Sequence, residues 1–158
     1  MREVLLGGKH RLTALVDDDD HAFLSQWKWT GYYHHKHFYA ERTDYSNGKK
    51  KIKMHRLIMK ASKGEIIDHA DGDGLNNQKA NLRFCTRGQN RANSTAWGKS
   101  IYLGVYWAKD RQRWRAKIKT PTKSIELGRF KEERDAAFAY NTAAKKYHKE
   151  FAKLNIIQ

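Results

Sequence analysis

Residues 68–93 read DHADGDGLNNQKANLRFCTRGQNRAN. Ile66-Ile67 just ahead predicts a short strand ending at Asp68-His69, and Asp71-Gly72-Asp73-Gly74 predicts a loop. Leu82-Arg83-Phe84-Cys85 predicts a second strand, and Thr86 is placed to N-cap a helix carrying Gln89, Asn90 and Asn93. Strand, loop, strand and helix in that order can bring Asp68 and Asn90 together across the intervening sequence. The aspartates do not spell a calcium loop. Asp68, Asp71 and Asp73 miss loop positions 1, 3 and 5, and no Glu stands twelfth from any of them with a Gly at six. Asp71 and Asp73 read more simply as turn residues.

Upstream, short β-like runs alternate with breakers. Val4-Leu5-Leu6 precedes Gly7-Gly8, and Leu12–Val16 follows. Asp17–Asp20 supply an N-cap and first-turn acids for a short helix over His21–Gln26, which explains the acid run better than a metal cluster does. Lys28–Thr43 is aromatic-rich and strand-like, and Asn47-Gly48 predicts a hairpin joining it to Lys51-Ile52-Lys53. Met54–Lys60 predicts a short helix with Leu57 and Ile58 inward. His34, His35 and His37 have neither Cys partners nor helical spacing, so they read as exposed strand histidines rather than zinc ligands.

The chain has 158 residues and carries 32 Lys+Arg against 17 Asp+Glu, a formal charge of +15. A balance this basic calls for a polyanion or an anionic membrane surface. No apolar run is long enough to span a bilayer and no signal peptide is visible, so nucleic acid leads and a cytoplasmic setting is expected. Cys85 is the sole cysteine, which excludes an internal disulfide and a Cys-rich zinc site. Any metal must then be held by His, Asp, Asn or Glu, favouring hard Mg²⁺ or Mn²⁺. Residues 99–158 hold 15 basic and 6 acidic side chains against 17 and 11 in residues 1–98. The polar connector NSTAWGKS (93–100) separates the halves and predicts domains at 1–95 and 101–158, joined by 96–100.

Hydrolysing a phosphodiester needs an activated water, neutralisation of phosphate charge, and help for the departing 3′ oxygen. A neutral histidine is the side chain best poised to take a proton from water near pH 7. Asp68 and Asn90 offer oxygens for one divalent ion, His69 stands beside them as base, and Arg83 or Arg87 can clamp phosphate.

The text MHRLIM, IIDHADGDGLNNQKANLRFCT and RGQNRAN resembles the HNH homing endonucleases of phages and group I introns, in their Asp-His…Asn…Asn variant. LTALVDDDDHAFLSQWKW resembles the leader of such phage enzymes less specifically. The resemblance implies a ββα-metal core over about 54–95 behind a β-rich leader, 1–53. It makes Asp68 the first metal ligand, His69 the general base and Asn90 the last ligand. It places Asn81 where the family's central Asn braces the loop and orients the histidine. Asp and Asn stand where the literal motif has histidines, which argues further for Mg²⁺ or Mn²⁺ over Zn²⁺. The role of His55, in MHRL, stays open between packing and facing phosphate.

Beyond the connector, Lys109, Arg111, Arg113, Arg115, Lys117 and Lys119 occupy alternate positions. A strand there projects a basic row on one face and Trp114, Ala116 and Ile118 on the other, with Asp110–Gln112 as a turn. Pro121-Thr122-Lys123 predicts the next turn, then Ser124–Leu127 a strand. Glu132–Tyr147 predicts a helix with Ala136, Ala139, Tyr140, Ala143 and Ala144 on one face. YLGVYW, RWRAKIK, IELGRF, AAFAYNTAAKKYH and FAKLN resemble the APETALA-two/ethylene-response-factor DNA-binding domain. That domain lays a three-stranded sheet, backed by one helix, in the major groove. By this resemblance Tyr106, Arg113, Arg115, Lys117, Lys119 and Glu126 face DNA, with Arg111 beside them on the turn. Leu103, Tyr106 and Glu126 replace Arg and Trp positions of the plant proteins, so their recognition sequence does not carry over. The expectation is an α+β endonuclease acting on double-stranded DNA, nicking as a monomer or cutting both strands as a dimer, cytoplasmic in a bacterial host if phage-encoded.

Overall fold

Alternation decides the first strand. In β1 (Arg2–Gly7), Val4 and Leu6 point inward while Leu5 between them is 75% exposed. The computed structural model describes residues 1–34, 37–93 and 99–157. Over these the chain divides into two compact units, Met1–Thr86 and Arg87–Gln158. The break falls ahead of the connector expected from the sequence, of which residues 94–98 lie outside the described residues, as does His35.

In the first unit, β1 pairs antiparallel with β2 (Thr13–Val16) and parallel with β3 (Trp29–His34). β4 (His37–Asp44) and β5 (Lys50–Lys53) complete, among the described residues, a sheet ordered β2-β1-β3-β4-β5. The single strand-like run Lys28–Thr43 is thus two strands, paired from Thr30↔Glu41 to His34↔His37. Asn47-Gly48 makes the expected turn, Gly48 taking a φ of 80°.

Helix α1 spans Asp18–Leu24, starting within the acid run as expected and ending two residues short of Gln26. Asp18, Asp19 and Asp20 sit in its first turn, where the macrodipole favours them. Asp17 occupies the N-cap position, but its carboxylate makes no capping bond. It accepts instead from Lys79 N (2.8 Å) and Gln78 Nε2 (3.4 Å), and Lys79 Nζ pairs with Asp20. The acid run therefore docks the loop of residues 78–79. Between the elements lies a core of Val4, Leu6, Ala14, Val16, Leu24, Trp29, Ala40 and Met54. Trp29 is secured by Nε1 donating to Leu24 O at 2.8 Å, and the Arg42 guanidinium lies 4.5 Å over the Trp27 ring.

α2 is short, Met54–Ile58, and its inward side differs from the expected one. Met54 and His55 are buried, while Leu57 and Ile58 only border the core. β6 (Ile66–His69) and β7 (Leu82–Cys85) pair antiparallel, Asp68 opposite Arg83 and His69 opposite Leu82. The loop between them joins the edge of the large sheet: Leu15 N donates to Leu75 O and Asn77 N to Leu15 O.

The second unit opens with α3 (Arg87–Ala92). β8 (Val105–Ala108), β9 (Arg113–Lys119) and β10 (Ser124–Phe130) form a sheet ordered β10-β9-β8, antiparallel throughout. α4 (Glu133–His148) packs on it through Ala136, Ala137, Tyr140, Ala143 and Ala144, so Ala137 is buried where Ala139 was expected and is only half-buried. Ala116 and Ile118 of β9 face this helix side, as alternation required. Close packing makes Gly104 indispensable. Its φ is 70°, and a Cβ there would stand 2.1 Å from the Tyr140 ring and 2.7 Å from Lys117 O. Past α4, a 3-10 turn at Lys149–Phe151 leads to a clasp. Asn155 donates to Leu103 O and accepts from Leu103 N, and Asn141 brackets the backbone of Asn155.

Candidate active site

Strand alternation in so short a β6 would leave Asp68 and His69 on opposite faces, yet both are buried, 5% and 6% exposed. The flanking loop and sheet cover them. Asp68 lies opposite Arg83 in the ladder, and Arg83 donates from Nε (2.9 Å) and Nη2 (2.7 Å) to Asp68 Oδ2. The sequence expectation had Arg83 on phosphate; here two of its donors fix the orientation of the Asp68 carboxylate.

His69 packs among rings. Its centroid is 5.1 Å from that of His55 at 82°, and 5.9 Å from that of Tyr39 on β4. Burial pushes the His69 imidazole below the ordinary value of 6.5. The Asn77 amide and the carboxylates of Asp71, Asp68 and Asp73 act the other way without cancelling it. His69 is thereby held neutral at pH 7, the form a base needs.

Asn81 braces the loop from within. Its Oδ1 accepts from Asp71 N (3.1 Å), and its Nδ2 donates to Asp71 Oδ1 (3.0 Å) and Asn76 O (2.8 Å). Asp71 in turn accepts from Asp73 N and Asn76 Nδ2, and Leu75 N donates to Asp73 Oδ1. Burial pushes the Asp71 carboxyl up, but these donors outweigh it and hold the group below the usual carboxylate range. Both aspartates are turn-formers, as their place in DGDG indicated.

Sequence reasoning missed three residues. Asn77 is fully buried, donates to Leu75 O and acts on His69, but NN at 76–77 does not say which amide turns inward. Tyr39 is too distant in sequence to be placed. Arg56 donates to the carbonyls of Glu65, Ser62 and Ala61, tying α2 to the approach to β6. His55 resolves to packing: it is 7% exposed, and its Nδ1 has no hydrogen-bond partner among the described residues.

Burial, then the charges of His69, Lys53 and Arg56, push His55 down to about 3 from 6.5. The unfolded chain takes up this proton near pH 6.5 while the folded one refuses it. Stability is therefore complete above that pH and is lost as pH falls toward 3. Urea unfolding at pH 4.5 should show a loss on the order of 2–3 kcal/mol relative to pH 7, much of it removed by His55→Gln. An unchanged pH slope in that variant would refute the assignment.

Asn90 lies on α3, in the second unit, and is exposed, as is Arg87 at the start of that helix. Among the described residues, no group of three or more His, Cys, Asp or Glu is arranged to hold a metal ion. The buried Asp68 carboxylate is still the hard anionic donor that Mg²⁺ or Mn²⁺ prefers, and such ions keep waters and take substrate phosphate oxygens besides one or two protein ligands.

On the second unit's sheet, the face away from α4 carries Tyr106 opposite Arg115, with Lys117 and Lys119 further along. Tyr106, Arg115, Lys117, Lys119 and Ser124 line an open depression. Arg115 is paired bidentately with Glu126 (2.8 and 3.2 Å), which Arg129 also approaches at 3.5 Å. Glu126 thus orders the arginines of this face. Arg113 is exposed at the start of β9, and Arg111 lies on the preceding turn, 3.9 Å from Asp110.

A family model described as HNH endonuclease matches residues 53–92, the segment holding His55, Asp68, His69, Asn81 and Asn90. No curated protein matches the chain. The match supports, for this segment, a nuclease that hydrolyses DNA, of a kind that generally uses a divalent metal. No helix among the described residues is long and apolar enough to cross a membrane.

Proposed function

We propose that the protein is a metal-dependent endonuclease that cuts one strand of duplex DNA per encounter, in the manner of homing enzymes. The observation that carries the reading is His69, buried and held neutral beside the fixed Asp68 carboxylate inside the HNH-matched segment. In this mechanism neutral His69 takes a proton from the water that attacks phosphorus. Asp68 would be the oxygen ligand for Mg²⁺ or Mn²⁺; Asn90, which the motif makes the last ligand, lies in the other unit and is not assigned to this site. The bound ion would neutralise phosphate charge and favour departure of the 3′ oxygen. Asn81 keeps the loop after His69 closed, so the imidazole does not swing away from its working position. With one base and one ion site per chain, a monomer nicks, and a double-strand break takes two chains or two events.

The second unit docks the enzyme on DNA through Tyr106, Arg113, Arg115, Lys117 and Lys119, joined by Arg111 and Arg87. Its charge supports this, since six alternating cations repel one another with no benefit unless a polyanion meets them. Glu126 positions Arg115 rather than contacting phosphate. For the whole chain, affinity should fall steeply with salt, and Lys117→Ala and Lys119→Ala should each reduce the slope of log K against log salt by about 1. Slopes equal to wild type by gel shift would remove this sheet from the interface.

Incubation of supercoiled plasmid with the protein and Mg²⁺ or Mn²⁺ tests the reading, with open-circular product expected and none in EDTA. A second reading, a DNA-binding regulator on a nuclease fold that no longer cuts, is favoured by one observation, the Arg83 clasp on the carboxylate a metal would use. Intact plasmid in every metal would decide for it.

A further inference from the structure

Tyr39 lies outside the HNH-matched segment, on a strand of the leader sheet, yet it forms one wall of the site. Its ring lies 5.9 Å from that of His69 and 6.0 Å from that of His55, centroid to centroid, and Lys53 Nζ lies 6.0 Å from its centroid. Gly74 presses on it so closely that a Cβ there would come within 2.6 Å of the ring's Cδ1 and Cε1. Four neighbours thus fix the ring plane. The residue is only half-buried, and its hydroxyl has no hydrogen bond to any described residue.

We infer that Tyr39 is a further catalytic residue, its hydroxyl donating a hydrogen bond to a non-bridging oxygen of the phosphate being attacked; the inference rests on the nuclease reading above. A phosphate whose attacking water is activated by His69 must lie within a water's reach of the imidazole. Of the two rings packed on that imidazole, His55 is buried and Tyr39 is partly open. The other donors nearby are less suited. Arg83 commits two donors to Asp68, and His55 is sealed in the core. An unused phenol O–H on a fixed ring, beside the base and partly open, is the group placed to meet the charge that builds on the phosphate oxygens.

Protonation agrees with that role. Burial, then the Asp68 charge, pushes the Tyr39 hydroxyl above its ordinary value, so it keeps its proton and remains a donor at neutral pH, where His69 is already neutral. Lys53, its Nζ 6.0 Å from the ring centroid, adds one cation beside the hydroxyl's approach, while Lys51 is neutralised by Glu41 at 2.6 Å.

Tyr39→Phe keeps the ring that touches His55, His69 and Gly74 and deletes only the donor. The full-length variant should unfold at the wild-type temperature and bind duplex with unchanged affinity. Its single-turnover nicking rate should fall on the order of 10²-fold, KM staying constant, because the bond strengthens only as charge develops. Nicking at the wild-type rate would overturn the inference while leaving the nuclease reading intact, provided His69→Ala is inactive beside it. A raised KM with unchanged kcat would also overturn it, making Tyr39 a binding contact. Wild-type protein that fails to nick in Mg²⁺ and Mn²⁺ would overturn both together.

Discussion

His69→Ala should slow plasmid nicking by about 10²–10⁴-fold with duplex affinity unchanged, the range a positioned general base supplies. The substitution is the cleanest one available in the site. Asp68→Ala would also abolish a ligand, but it removes the carboxylate to which Arg83, only 23% exposed, donates twice. Losing those two charge-assisted bonds would destabilise the unit, and lost activity would then have two causes. Removing the His69 imidazole leaves no charge unpaired. It opens space between Tyr39 and His55, a loss that urea unfolding at neutral pH can measure separately. The pH profile adds an independent check. Because burial lowers the His69 pKa below 6.5, the working neutral form persists into mildly acidic solution, and the acid limb of the wild-type profile should fall below the ordinary histidine range. A limb at or above pH 6.5, or an alanine variant that nicks normally, would remove His69 as the base.

The parts of this site legible in the sequence are those whose reasons are local. Asp68-His69 at a strand end and the DGDG turn follow from spacing and turn chemistry, and both lie in the fold where that put them, whereas only the resemblance to the HNH enzymes singles out Asn81. The same holds for the alternation of β9 and, with Ala137 in place of Ala139, for the small face of α4. What stayed hidden depends on partners remote in the chain. Asp17 sits in a cap position and would cap a helix by local rules, but the loop at 78–79 offers its carboxylate a backbone N–H at 2.8 Å. The sequence between β3 and β4 carries no Gly, Pro or Asn to announce a break, so the two strands read as one. Arg83 opposite Asp68 was recoverable in principle: once the hairpin register is set, an Arg and an Asp face each other across it. Tyr39 was not recoverable, because only the close approach of loop to sheet makes it part of the site.

That close approach can be tested at one atom. Gly74→Ala should destabilise the first unit by about 1–3 kcal/mol, the usual toll of overpacking, and cut activity by more than the lost stability explains. The added methyl would stand 2.3 Å from Phe38 O and 2.6 Å from the Tyr39 ring. The carbonyl is backbone within the β3–β4 ladder and does not swing aside as a flexible side chain would. Gly74 is not needed here for a left-handed turn; Gly72, with φ of 82°, has that part in the loop. The constraint is contact alone, and relief comes from lifting the loop or displacing the Tyr39 ring. Either movement reaches the chemistry. The loop is tied to His69 through Gly72 N donating to His69 O and through Asn81, and the ring packs on the imidazole itself. A shift on the order of 1 Å at a reacting group is enough to lose about 10²-fold in rate. The readouts therefore separate: urea unfolding reports the overpacking, and the nicking rate of the folded fraction reports the displaced site. A Gly74→Ala protein with wild-type stability and wild-type rate would mean that the loop does not lie on β4 as described, and Tyr39 would lose its place beside His69.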